Sequence, residues 1–263
     1  MGFGVVTILN AVFRRAFTSA GLRPSSAAVD ADTTLHFWAH PSLLPNTKNG
    51  GATKQQRRPV VVLIHGFGPD PTWQWASQVG PLSRHFDLLV PTLLFFGASA
   101  TSAPGRSDAF QAAAIAALLA GLDHGDREGP REVHVVGTSY GGLVAYHLAR
   151  ALHVQGQGGG GWRVGKVALC SSDLAKGPED DRALAAKGGV AEVTDLMVPA
   201  DTKALRRLMD ICAHGPPKYL PECLARELLR VRTIPTSTVQ YIIHACCWSI
   251  RVHARSIRHT CTV

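Results

Sequence analysis

Residues 132–152, Glu-Val-His-Val-Val-Gly-Thr-Ser-Tyr-Gly-Gly-Leu-Val-Ala-Tyr-His-Leu-Ala-Arg-Ala-Leu, hold the stretch on which the fold turns. Glu132–Val136 is a short, mainly β-branched run, as expected for a strand buried on both faces of a parallel sheet. Leu143–Leu152 predicts a helix. Between them lies Gly137-Thr138-Ser139-Tyr140-Gly141. About one chain in seven of this length and composition would contain Gly-x-Ser-x-Gly by chance, so the pattern weighs little until its setting is added. A turn this tight between strand and helix places Ser139 in a strained backbone region, and Gly137 and Gly141 keep side chains from colliding across it. The hydroxyl then projects from the carboxyl edge of the sheet, where a helix N-terminus favours developing negative charge.

Working outward, the same alternation repeats. Thr33–Trp38 reads as a strand, followed by a polar loop from Pro45 to Arg58. Pro59–Ile64 and Leu88–Val90 are further buried strands. Asp108–Leu122 predicts a helix, with Asp108 as cap, Gln111 three residues later and Gly121 at its end. Gly158–Gly161 is a loop, and Val164–Cys170 a fourth strand of the parallel set. Strands alternating with helices imply an α/β fold with right-handed crossovers. From Leu174 to Arg230 the pattern becomes short helices, including Thr202–Ala213 and Pro221–Arg230, interrupted by Pro199 and by Pro216-Pro217. This predicts a helical cap inserted over the sheet edge, with Leu196, Met197, Leu205 and Leu208 lining a lid or forming its own core. The expected organisation is an N-terminal segment (1–30), a core (31–173), a cap (174–230) and a divergent tail (231–263).

His65-Gly66-Phe67-Gly68 directly follows the strand that ends at Ile64. In a strand–turn–helix architecture with a serine at the turn, that loop supplies one main-chain donor for an oxyanion and the residue after the serine supplies the other. Phe67 and Tyr140 are the candidates, Ser139 the candidate nucleophile. His65 precedes the serine and is expected to brace the loop; His134 and His147 are expected to be packing or surface residues. These motifs, together with Leu93-Leu94-Phe95-Phe96-Gly97-Ala98-Ser99, resemble the α/β-hydrolase family, and most closely plant members of its monoacylglycerol-lipase-like branch. The resemblance covers residues 22–230. It implies an α/β-hydrolase fold, a mostly parallel sheet flanked by helices with a cap, acting on a small-molecule carboxylic ester with an acyl chain and using no metal or organic cofactor. Thr92 and Ala98 stand where related sequences often carry Asp. A serine in the turn excludes epoxide hydrolase and dehalogenase chemistry, which need Asp there; hydroxynitrile-lyase and carbon–carbon hydrolase chemistry stay open.

The family mechanism also needs an acid and a His after the serine. After Glu227 the chain has neither Asp nor Glu, and no Gly-His pair. The two strands and two helices that usually carry these groups take about 60 residues or more. The last strands are therefore expected to be missing, and a splice or frame change near Arg226–Thr236 would account for the shift in composition. Asp173, after the fourth parallel strand, and His244 stand in the required order as an alternative acid and base. If they do not serve, the chain is an inactive α/β-hydrolase that acts as a binding module.

The charge balance argues against a nucleic-acid partner. Of the net +8, residues 1–29 supply +3 and residues 231–263 supply +4, neither stretch holding an acid, which leaves +1 for the body between them. A binding face would concentrate its cations on the folded body. Six scattered cysteines make no disulfide framework. The acid-free opening segment suits a transit peptide, an amphipathic helix touching a membrane surface, or a helix lying on the domain.

Overall fold

The computed structural model describes residues 4–44, 58–68, 70–122, 129–157, 161–172, 174, 177–212 and 220–230. In chain order the elements begin with α1 (Val5–Ser19), β1 (Arg23–Ala28), β2 (Thr33–Ala39), a 3-10 turn (Pro41–Leu43), β3 (Val60–Ile64), α2 (Pro71–Ser83) and β4 (Asp87–Pro91). They continue with β5 (Ala100–Thr101), α3 (Asp108–Leu122), β6 (Arg131–Thr138), α4 (Tyr140–Gln157) and β7 (Trp162–Cys170), then α5 (Pro178–Gly188), α6 (Val193–Met197), α7 (Thr202–Cys212) and α8 (Glu222–Arg230). The described chain divides into two compact units, Ala11–Asp173 and Met1–Asn10 with Leu174–Val263.

The first unit holds a seven-stranded sheet ordered β1-β2-β4-β3-β6-β7, with β5 paired to β2. β4, β3, β6 and β7 run parallel, while β1, β2 and β5 pair antiparallel, so the sheet is mixed. The four parallel strands are those the sequence predicts. All five residues of β3 are buried, as a strand covered on both faces requires. One face packs Val61, Leu63, Leu88 and Val90 against Trp75 and Val79 of α2 and against Phe17 and Leu22; α3 and α4 pack on one another, and α4 lies along β6 and β7.

Three local differences from the sequence reading have physical reasons. The sheet begins at Arg23, inside the segment taken as separate from the core. β1 has no β-branched residue and gives no strand signal of its own, but it pairs with β2 from Arg23 opposite Ala39 to Ala28 opposite Thr34. The α3 cap falls on Ser107 rather than Asp108: the Phe110 N–H donates to Ser107 Oγ at 3.1 Å. α4 starts at Tyr140, ahead of the apolar period at Leu143, because Gly141-Gly142 contributes no hydrophobic signal.

Register places the functional edge. β3 and β6 align with Val60 opposite Val133 and Ile64 opposite Gly137, so the loops after both strands emerge side by side. From β3 the chain turns to β4 on one flank, and from β6 to β7 on the other. Loops that diverge this way leave a crevice at the carboxyl ends of the strands, where α/β sheets bind ligands.

The second unit is helical. Glu222 joins α7 to α8 by accepting from Thr202 Oγ1 and Arg206 Nη1, both at 3.0 Å. Leu196 of α6 is buried and packs against Gly188, whereas Met197, Leu205 and Leu208 are half-buried. Glu227 of α8 accepts the Val6 N–H at 3.1 Å, which answers an orphan amide of the first turn of α1. No described helix is long and apolar enough to cross a membrane.

Candidate active site

Ser139 sits one residue past β6 at φ 53°, a left-handed conformation that costs a non-glycine residue about 1–3 kcal/mol and persists only where neighbours enforce it. Three bonds do so. The Ser139 N–H donates to the Cys170 carbonyl at 2.9 Å; the Ser139 carbonyl accepts from the Gly142 N–H at 2.9 Å and from Ser172 Oγ at 2.9 Å. The flanking glycines are steric requirements. A Cβ on Gly137 would collide with the Gly141 carbonyl, and one on Gly141 with the carbonyls of Ile64 and His65. The turn is thus wedged between the ends of β3 and β7.

The loop after β3 faces it. A Cβ on Gly66 would stand 3.3 Å from Ser139 Oγ, so the hydroxyl lies directly against this loop. His65 is fully buried. Its Nε2 accepts the Leu93 N–H at 3.0 Å, which makes Nδ1 the protonated nitrogen, donating to the Gly66 carbonyl at 2.7 Å. Burial lowers its pKa from 6.5 to about 4, against the opposing pull of the Gly66 carbonyl and Asp70. His65 is therefore a neutral strut between the loops after β3 and β4, with both nitrogens engaged.

Two glutamines complete the frame, and neither draws notice in the sequence as a site residue. Gln74 in α2 accepts the Gly66 N–H at 2.8 Å and donates to the Phe67 carbonyl at 2.9 Å. Gln111 in α3 accepts the Leu94 N–H at 2.7 Å and donates to the Leu94 carbonyl at 3.1 Å. Each is the fourth residue of its helix; Gln74 holds the loop leaving β3 and Gln111 the loop leaving β4. The only sequence signal would be a polar side chain on a buried helix face, as with Gln74 between Trp73 and Trp75. Phe67, Tyr140 and Phe96 form an aromatic wall, with ring centroids 5.4 Å (Phe67–Tyr140) and 5.7 Å (Phe67–Phe96) apart.

The structure thus brings together Ser139, Gly137, Gly141, Tyr140, His65, Gly66 and Phe67. Asp173 and His244, the alternative acid and base, lie outside the described residues, as does the tail from 231. His134 accepts the Lys166 N–H at 2.9 Å, and His147 lies 3.4 Å from the buried Asp108. A Ser–His–Asp group away from Ser139 occurs at the amino ends of the strands, where His40 Nδ1 meets Ser42 Oγ at 2.9 Å and Asp87 Oδ1 at 3.3 Å. It is not a relay: both partners address the same ring nitrogen, and the hydroxyl donates directly to Asp87 at 2.6 Å, whereas proton transfer needs serine and acid on opposite nitrogens.

Comparison with known proteins bears on the family and the fold. Residues 61–249 match the model of the alpha/beta hydrolase family, nineteen residues beyond the Arg230 at which the resemblance seen in the sequence stops. No curated protein matches by sequence. Among solved structures, a bacterial membrane phospholipase A superposes with a TM-score of 0.64 at 24% identity, covering 93% of this chain and 68% of its own. The 2-hydroxy-6-oxo-6-phenylhexa-2,4-dienoate hydrolase of Rhodococcus sp. strain RHA1 gives 0.57 at 21%, covering 89% and 74%. A serine hydrolase of Cycloclasticus zankles gives 0.55 at 18%, covering 86% and 70%. At such identities these likenesses speak for the fold. With a sheet of four parallel strands, a glycine-flanked turn after β6 and a family match over most of its length, the chain belongs to the α/β-hydrolase family, and its fold supports hydrolase activity.

Proposed function

We propose that the chain is a serine hydrolase of carboxylic esters with acyl chains, of the monoacylglycerol-like kind, with Ser139 as nucleophile and the N–H groups of Phe67 and Tyr140 as oxyanion donors. The observation that carries this reading is the Ser139 hydroxyl, held at φ 53° against the loop of Gly66 and Phe67. Among the described residues no acceptor takes the Phe67 N–H, while the amide before it and the carbonyl after it are both bonded. Phe67, half-buried and packed on the buried rings of Phe96 and Tyr140, offers an apolar surface beside Ser139 that suits an acyl chain.

In the reaction, Ser139 Oγ attacks the ester carbonyl carbon as its proton passes to a base. The oxygen of the tetrahedral intermediate accepts from the two main-chain amides. Collapse breaks the bond to the alcohol, which leaves with the proton, and water then releases the acid from the acyl-serine by the same steps. Asp173 and His244 follow Ser139 in the order this mechanism uses and are proposed as the acid and base.

Turnover of p-nitrophenyl butyrate by wild type, Ser139→Ala, Asp173→Asn and His244→Ala tests the assignments. Ser139→Ala is expected to lose about 10⁴ or more in kcat and to lose labelling by a fluorophosphonate probe. Wild-type rates in the Asp173 and His244 variants would place the acid and base elsewhere. Equal turnover by wild type and Ser139→Ala would remove the reading, and silence of the wild type toward both reagents would favour the binding-module alternative.

A further inference from the structure

We infer that Gln74 is a positioning residue that aims the Phe67 N–H at the oxyanion. The inference builds on the reading of that amide as an oxyanion donor and extends it to the side chain that sets its direction. Three successive peptide planes meet at this loop. A trans amide points its carbonyl and its N–H in opposite directions, so fixing one end of a plane fixes the other. The plane joining Gly66 to Phe67 carries the donor at one end, and its carbonyl is held at 2.7 Å by His65 Nδ1. One bond leaves that plane free to rock about its own axis. Gln74 removes this freedom by holding the planes on either side, taking the Gly66 N–H at 2.8 Å and supplying the Phe67 carbonyl at 2.9 Å.

The primary amide is the side chain the task requires. One group must accept and the other donate, on neighbouring planes, from one rigid and uncharged fork. A carboxylate would accept at one position and repel the carbonyl at the other; an aliphatic chain would leave both unmet. Access is secured by glycine, since a Cβ on Gly68 would stand 3.2 Å from Gln74 Nε2. Gln74 in turn is carried by the first turns of α2, where the Asp70 carboxylate accepts the Thr72 N–H at 2.7 Å. Aim matters because such a donor acts on the oxygen of the intermediate and not on the ground-state carbonyl, and deleting one outright costs about 10²–10³ in kcat.

The test compares wild type with Gln74→Leu and Gln74→Glu in turnover of p-nitrophenyl butyrate, with thermal unfolding alongside and Ser139→Ala as the blank. For Gln74→Leu the inference expects kcat to fall roughly 10- to 100-fold with KM within about twofold, and the affinity of a trifluoromethyl ketone analogue to fall by the same factor as kcat. Gln74→Glu supplies a readout that a packing role would not move. A protonated carboxyl can accept from Gly66 and donate to Phe67, so the ratio of variant to wild-type kcat should climb as pH drops toward the carboxyl range. Wild-type kcat in Gln74→Leu, a loss confined to KM, or a loss matched by the fraction unfolded together with a pH-independent Gln74→Glu ratio would overturn the inference and leave the proposed function standing. A wild type no faster than Ser139→Ala would overturn both.

Discussion

His65 shows how burial of one imidazole becomes a pH dependence. Its folded pKa of about 4 lies below the ordinary 6.5 chiefly because burial disfavours the charged ring. The unfolded chain takes up a proton near 6.5 that the folded chain refuses, so between pH 6.5 and 4 the unfolded state binds more protons. Stability contributed by neutral His65 is whole above 6.5 and drains as pH falls toward 4, at up to about 1.4 kcal/mol per pH unit. His65→Gln is expected to be less stable at pH 7, since the Leu93 N–H and the Gly66 carbonyl lose their partner, but to show a shallower decline across that window. Urea denaturation at pH 7, 6 and 5 measures this, and parallel declines in the two proteins would assign the titration to another group. The same residue illustrates what a sequence conceals. His65 reads as a brace from its place before the serine, yet nothing in its neighbours along the chain names Leu93, 28 positions away, as the group it holds.

Among the elements, α2 and α3 do more than cover the sheet, for each lends its fourth residue to a loop at the carboxyl ends of the strands, α2 to the one after β3 and α3 to the one after β4. Gln111 is 1% exposed and Leu94 wholly buried, so removing the amide leaves a buried N–H and a buried carbonyl without protein partners. Each such group costs about 1–3 kcal/mol, and Gln111→Leu is expected to destabilise the fold by about 2–4 kcal/mol, read as a fall in the urea midpoint. A change under 1 kcal/mol would show that the loop after β4 is held by other contacts. Elements also differ in how openly they announce themselves. β3 is a continuous aliphatic run and β6 ends in the glycine-flanked turn, so both are legible in isolation. β1 carries Arg, Pro, Ser and Ala and exists through pairing with β2. α2 contains Gly80 and Pro81, which weaken its helical signal, so the element bearing Gln74 goes unread although its Trp75 and Val79 are core residues. The clamps are invisible for the same reason: a glutamine is ordinary until the fold supplies the backbone it binds.

In the molecule as a whole, the core sheet separates two polar systems by its own length. At the amino ends, buried Asp87 pairs with Arg131, also buried, and accepts from Ser42. From Arg131 to Ser139 the chain is extended and covers roughly 25 Å. Arg131→Leu removes the main partner of a buried carboxylate and is expected to cost about 3 kcal/mol or more, yet to leave kcat unchanged at temperatures where the variant stays folded. A kcat that falls with the midpoint would show that the two ends communicate through the sheet. At the carboxyl ends, the bond from the Ser139 N–H to Cys170 has a further consequence. That amide is spent on β7, so under the proposed function an ester attacked at Ser139 finds no donor in it and turns its oxygen toward the β3 side, where Phe67 stands. Only one of the two faces of a planar carbonyl can meet the serine in that pose. Mirror-image substrates would then be forced to present their substituents to opposite walls, and the molecule should prefer one hand over the other.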